Sequence, residues 1–233
     1  MAIYHKKKGI EDENNNIFWT TMSDLLLGLA IIFMTLFVLA MTGFTQDKVQ
    51  LQQTQMKAAE EMTQKLKDAD IDAEVDKVTG SVKISDLQLF EVGSYTLSPK
   101  GKQYLDKFVP IYINSILANE ALTENIANIL IQGHTDSQSY SGLKTPNDQF
   151  SKNMELSLLR ANAVEQYMFK TKYDKKYDKQ LRKLISVEGR SFAEPILKPD
   201  GTEDYAKSRR VELKIRVKGQ NISTMFGLNF GSN

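Results

Sequence analysis

Asp24 is the residue with the clearest capacity for chemistry. It is the sole ionisable side chain in Ile17–Phe44, IFWTTMSDLLLGLAIIFMTLFVLAMTGF, a run of 28 residues. An aspartate near the centre of a membrane helix costs about 2.5–3.5 kcal/mol to insert, so it is expected to face protein or water and to take up and release an ion. The competing role is structural, with Asp24 fixing helix packing or lying at the membrane interface. Steps of three and four residues from Asp24 lead to Thr20, Gly28, Ile31, Thr35 and, further on, Thr42, whereas Leu26, Leu29, Phe33, Phe37 and Ala40 lie on other faces. Small residues and hydroxyls suit the approach of another helix, so Thr20, Ser23, Gly28 and Thr35 are expected to serve the ion path or helix packing. One span cannot enclose an ion path alone, and the pattern therefore asks for a multi-span partner.

Chemistry elsewhere in the chain is bounded by what is missing. The sequence holds no cysteine, which excludes a thiol nucleophile, a disulfide framework and a cysteine metal site. With His5 and His134 as the only histidines, a multi-histidine metal site is not expected either, and no cofactor is implied. The formal charge of +1, from 30 basic and 29 acidic residues, gives no bias toward nucleic acid.

The elements that must position these groups follow from periodicity. At about 1.5 Å per residue the apolar run reaches roughly 42 Å, enough to cross a bilayer. It exceeds the 7–15 residues or so of a signal-peptide core, so an uncleaved anchor is expected. Lys6, Lys7 and Lys8 precede it in a short arm, residues 1–16, and favour a cytoplasmic N-terminus, which places the body outside. Residues 45–70 contain no Gly or Pro and read as a juxtamembrane helix with a thin stripe of Ala59, Met62, Leu66 and Ala69. That stripe suits a solvated spacer, a dimer contact or a gate on the ion path.

From Ile71 the period changes to two. Ile71, Ala73 and Val75, a Thr79-Gly80 turn, then Val82 and Ile84 suggest a hairpin. Ser98-Pro99 gives a helix cap followed by proline at the first helical position, and Tyr104, Leu105, Phe108, Ile111, Tyr112 and Ile116 continue a buried face, with Pro110 expected to bend or divide it. Strands are expected at 126–131, 184–187 and 209–217, a loop at 137–150, and a helix at 153–169 with Leu156, Leu159, Ala163, Val164 and Tyr167 inward. The tail, 219–233, has no clear period. Strands alternating with helices predict an α/β (α+β) two-layer sandwich over 71–218, helices covering one side of a mixed sheet.

Three segments carry a resemblance. Gly133-His-Thr-Asp136, Asn153-Met-Glu-Leu-Ser-Leu-Leu-Arg-Ala161 and Ser208-Arg-Arg-Val-Glu212 resemble the GHTD, N-x-x-L-S-x-x-R-A and N-R-R-V elements of OmpA-like peptidoglycan-binding domains, and Phe90 with Leu97-Ser-Pro-Lys-Gly101 is similar to the segment before that family's first helix. The resemblance implies a βαβαβ sandwich whose aspartate and arginine, here Asp136 and Arg160, bracket the diaminopimelate of a peptide stem. Thr135, Asn153, Leu156 and Arg209 would shape the pocket. A planar guanidinium suits bidentate carboxylate recognition, although such a pair also occurs as a purely structural ion bridge. Ser208 stands where the family has asparagine, the loop after Asp136 is long, and His134 is expected to be a turn residue under the site rather than a base.

Phe18-Trp-Thr-Thr-Met-Ser-Asp-Leu-Leu-Leu-Gly28 is similar to the span of MotB-type stator subunits, with Asp24 at their ion-carrying aspartate, and within that group ISDLQLFEVGS looks most like the ZorB branch of Zorya anti-phage systems. This implies an inner-membrane, single-pass B subunit with a periplasmic domain, a homodimer inside a ring of ZorA/MotA-like A subunits, bound to peptidoglycan and moving H+, with Na+ as the alternative ion. A flagellar stator and a passive membrane-to-wall tether are the other readings. A wall hydrolase is disfavoured, because Asp136 with Arg160 makes a binding pair rather than an acid/base pair.

Overall fold

A computed structural model describes residues 2–91, 93–138, 142 and 145–218, with side chains for 17–41 and from 49 onward. The chain divides into two compact units, residues 1–50 and 51–233. Helix α1 (Ala2–Asp68) supplies the whole of the first unit that is described. Its residues 2–16, expected as an irregular arm, have helical backbone: lysine and glutamate are good helix formers and the stretch contains no proline. The part long and apolar enough to cross a membrane is Ile17–Met41, every residue of which is exposed in the chain alone. The side chain of Thr42 and the tail 219–233 lie outside the described residues.

In the second unit, β1 (Glu74–Val75) and β2 (Val82–Ser85) form the expected hairpin. They are followed by α2 (Asp86–Leu89), α3 (Pro99–Leu117), α4 (Glu120–Asn125), β3 (Ile126–His134) and α5 (Pro146–Met168). A short 3-10 turn then leads into α6 (Asp178–Leu184), β4 (Ile185–Gly189), α7 (Tyr205–Ser208) and β5 (Arg210–Val217). The five strands lie in the order β1-β2-β5-β3-β4, antiparallel except for β3 beside β4. A parallel pair needs a crossover, and α5 provides it. The two-layer α/β sandwich with a mixed sheet is therefore present, preceded by one apolar helix.

The core lies between α3, α5 and one face of the sheet, where Phe108, Tyr112, Val164, Val82, Ile84, Ile131 and Leu213 are fully buried. Four local readings change. α3 runs unbroken through Pro110, because the neighbouring Phe108, Val109, Tyr112 and Ile113 are all buried and offset the proline penalty of about 3 kcal/mol. The loop expected to reach Phe150 ends earlier, since Thr145 caps α5 by accepting from the Asp148 amide and Pro146 stands at the first helical position. The buried stripe of α5 is Asn153, Ser157, Arg160, Ala161, Val164 and Met168, with Leu156, Leu159, Ala163 and Tyr167 only half-buried, so polar residues occupy the face toward the site.

The fourth change concerns the helix expected as a linker. From Leu51 it belongs to the second unit: Ala58, Met62 and Leu66 sit in the hydrophobic core cluster and Ala59 is buried beside them. Burying side chains the size of Met62 and Leu66 contributes about 1.5–3 kcal/mol each, which a solvated spacer would forgo.

Candidate functional site

Strand β3 delivers Gly133, His134, Thr135 and Asp136 to one end of the sheet, and α5 lies against that end. The approach is close enough that a Cβ on Gly133 would stand 1.9 Å from the Ser157 carbonyl oxygen, and one on Gly189 would stand 2.8 Å from Ser157 Oγ. Only glycine permits this contact, and it sets Asn153, Leu156 and Arg160 beside Thr135 and Asp136. A cavity of about 310 Å³ results, lined by Thr135, Asp136, Asn153, Leu156, Arg160 and Arg209. All six residues singled out for the pocket from the sequence thus surround one space. Leu87, Phe90, Glu91, Gly93, Gln138 and Asp86 complete the lining.

The charges are connected differently from a simple Asp136–Arg160 bracket. Arg160, 3% exposed, gives Nη1 to Asp86 Oδ2 at 3.1 Å and donates Nε to the Ser94 carbonyl at 3.0 Å, with its guanidinium 5.3 Å from the Phe90 ring centroid. Arg209 bonds Asp136 through Nη1 and lies 3.6 Å from Asp86 Oδ2 through Nε. Burial pushes the Asp86 carboxyl above its ordinary range, against the pull of the Arg160 and Arg209 charges. Asp86 lies outside the three pocket motifs, although within the ISDLQLFEVGS stretch, and is not among the six residues singled out for the pocket. One signal for it exists in the sequence: two inward arginines against one motif aspartate leave a buried positive charge that some carboxylate must balance.

The remaining expectations resolve as follows. His134 closes β3 instead of occupying a turn; it is 1% exposed, and burial pushes its imidazole below the usual range. Its Nε2 lies 3.4 Å from Glu212. With Glu194 these two form the described cluster whose spacing resembles a metal site. Lys214 and Arg210 already stand 3.4 Å from the Glu212 carboxylate, and Arg190 pairs with Glu194, so the carboxylates are neutralised by the chain's own cations. Ser208, in place of asparagine, is fully buried and its Oγ accepts from the Ile196 amide, which ties down the segment before α7.

In the apolar helix, Asp24, Thr20, Ser23, Gly28 and Thr35 are all exposed in the chain alone, and the Thr35 hydroxyl donates to the Ile32 carbonyl of its own helix at 2.8 Å. A Cβ on Gly28 would meet nothing within 4 Å among the described residues.

Comparison with known proteins fits this geometry. The OmpA family model matches residues 89–209. A Zorya protein ZorB from Escherichia coli, strain Crooks, is 33% identical over 213 residues, covering 87% of this chain and 89% of the relative. A second Escherichia coli Zorya protein ZorB is 22% identical over 226 residues, covering 91% and 85%. Among solved structures, a MotB-like protein from Desulfovibrio vulgaris aligns with 74% of this chain and 97% of its own, at 21% identity and a TM-score of 0.52, a likeness of fold. The chain belongs to the ZorB family of Zorya proteins, with an OmpA family domain following its single apolar helix.

Proposed function

We propose that this chain is the wall-anchored B subunit of an ion-driven rotary motor in a bacterial inner membrane, working in anti-phage defence. The observation that carries the proposal is the pairing, in one chain, of a lone carboxylate on an otherwise apolar 25-residue helix with a charge-lined pocket in an OmpA family domain. Asp24 carries the ion, a proton: protonation removes its charge and deprotonation restores it, so each transfer changes how the helix fits its surroundings. One elementary charge crossing 100 mV releases about 2.3 kcal/mol, enough to bias a two-state equilibrium roughly fifty-fold. A multi-span A-subunit ring of the ZorA/MotA type supplies the walls of the ion path, and this chain stands inside it as a homodimer, N-terminus in the cytoplasm and domain in the periplasm.

The pocket takes the diaminopimelate of a peptidoglycan stem, Asp136 receiving its ammonium and Arg160 its carboxylate. Charge-assisted bonds of this kind are about twice as strong as neutral ones, which suits an anchor that must resist torque. The chain has no assigned catalytic role in this reading. The anchoring half is tested by sedimenting the full chain, in detergent, with sacculi of diaminopimelate type and of lysine type, whose stem lacks the side-chain carboxylate. Retention on the first, displaced by a diaminopimelate-containing muropeptide, is the expected result; equal retention on both, or on neither, contradicts it.

A further inference from the structure

Asp86 stands outside the three motifs that define the pocket, and the pocket's charges are organised around it. Its Oδ2 is 3.1 Å from Arg160 Nη1 and 3.6 Å from Arg209 Nε, while Arg209 reaches Asp136 with Nη1. One carboxylate is shared by two guanidiniums and one guanidinium by two carboxylates. The side chains of Asp86 and Arg160 are 6% and 3% exposed, so water screens neither charge appreciably. Without Asp86 the Arg160 guanidinium would lose that carboxylate, and Arg209, the more exposed of the two, would be drawn wholly onto Asp136. Arg160 is less free to follow, because Ser94 holds its Nε and Phe90 lies beside its plane.

We propose that Asp86 is a positioning residue of the pocket: by holding Arg160 and dividing Arg209 between two carboxylates, it keeps Asp136 open to a ligand ammonium and Arg160 aimed at a ligand carboxylate. The identity of that ligand rests on the peptidoglycan reading above, whereas the sharing of Arg209 does not.

The test uses the full chain in detergent with 15N-labelled arginine, as wild type, Asp86→Asn, Arg209→Gln and the double variant. Two quantities are read: the Nε–H signals of Arg160 and Arg209, and affinity for a diaminopimelate-containing muropeptide. Asp86→Asn keeps the shape and removes the charge; it should shift the Arg209 signal, leave the Arg160 signal in place on Ser94, and weaken binding about tenfold or more. The double variant should recover part of that loss, because Asp136 is released, yet bind more weakly than Arg209→Gln alone, because the Nη1 end of Arg160 loses the Asp86 charge that fixes it while Nε stays on Ser94. An unmoved Arg209 signal, wild-type affinity in Asp86→Asn, or a double variant weaker than Asp86→Asn overturns the proposal. If Asp86→Asn does not fold, the double variant is compared with Arg209→Gln, and equal affinity overturns it. A wild type that ignores the muropeptide while the Arg209 signal shifts as described contradicts the peptidoglycan reading and leaves the positioning role standing.

Discussion

In the OmpA family domain four charges follow one another, Arg160 to Asp86 to Arg209 to Asp136, each within ion-pair distance of the next; the apolar helix offers Asp24 no cation anywhere between Ile17 and Met41. The difference separates two uses of ionisable groups away from water. A charge whose partners are built in keeps its state and can hold a fixed geometry, which suits an anchor. A carboxylate with no cation in the apolar stretch around it, residues 17–41, changes state with what surrounds it, which suits a carrier. Variants that unbalance the first arrangement should therefore cost stability, while neutralising the second should cost function and leave the fold intact.

The largest loss of stability is expected from Arg160→Ala. It leaves Asp86 buried without its nearest partner, at about 3–5 kcal/mol. Hydrogen exchange of β3 and β5 amides in the full chain measures this, and a loss below 1 kcal/mol or so would mean that water reaches the pair. Gly133→Ala comes next, at about 3 kcal/mol, because its Cβ would collide with the backbone of α5 at Ser157 and push α5 off the end of β3. Muropeptide binding should fall with it.

A smaller effect appears as a pH dependence. Burial works against the Glu212 carboxylate, but His134, Lys214 and Arg210 hold it down to about 2 from an ordinary 4.5. The unfolded chain takes up that proton first as the solution is acidified, so the stabilisation is complete above 4.5 and is lost as pH falls toward 2. His134 acts in the same direction, since its depressed pKa lets the unfolded state protonate earlier. Glu212→Gln should flatten the acid limb of the stability profile by on the order of 2 kcal/mol; an unchanged limb would place the acid sensitivity elsewhere. The smallest effect, none, is expected for Asp24→Asn on amide exchange in the OmpA family domain.

The architecture was legible where a rule acts locally. Ser98-Pro99 marks the start of α3, alternation marks β2 and β5, and GHTD with LSLLRA marks two walls of the pocket. Thr145-Pro146 carried an equally local start signal for α5, hidden by the polar run before it. What the sequence hid depends on partners distant in the chain. Asp86 and Arg160 are 74 positions apart, and nothing periodic announces that the first will balance the second. The inward face of α5 is polar because it borders the pocket, so a hydrophobic count chose the neighbouring residues. The stripe of Ala59, Met62, Leu66 and Ala69 was visible, but what covers it, the core of the second unit, was not.

The most direct test of the central claim is ion flux in vesicles holding this chain with the proposed multi-span A subunit, wild type against Asp24→Asn, with co-purification confirming that both variants assemble. Flux that disappears in Asp24→Asn while the complex persists is the predicted result and makes the helix an ion carrier. Equal flux in both variants would contradict it, returning Asp24 to helix packing and the chain to a passive tether.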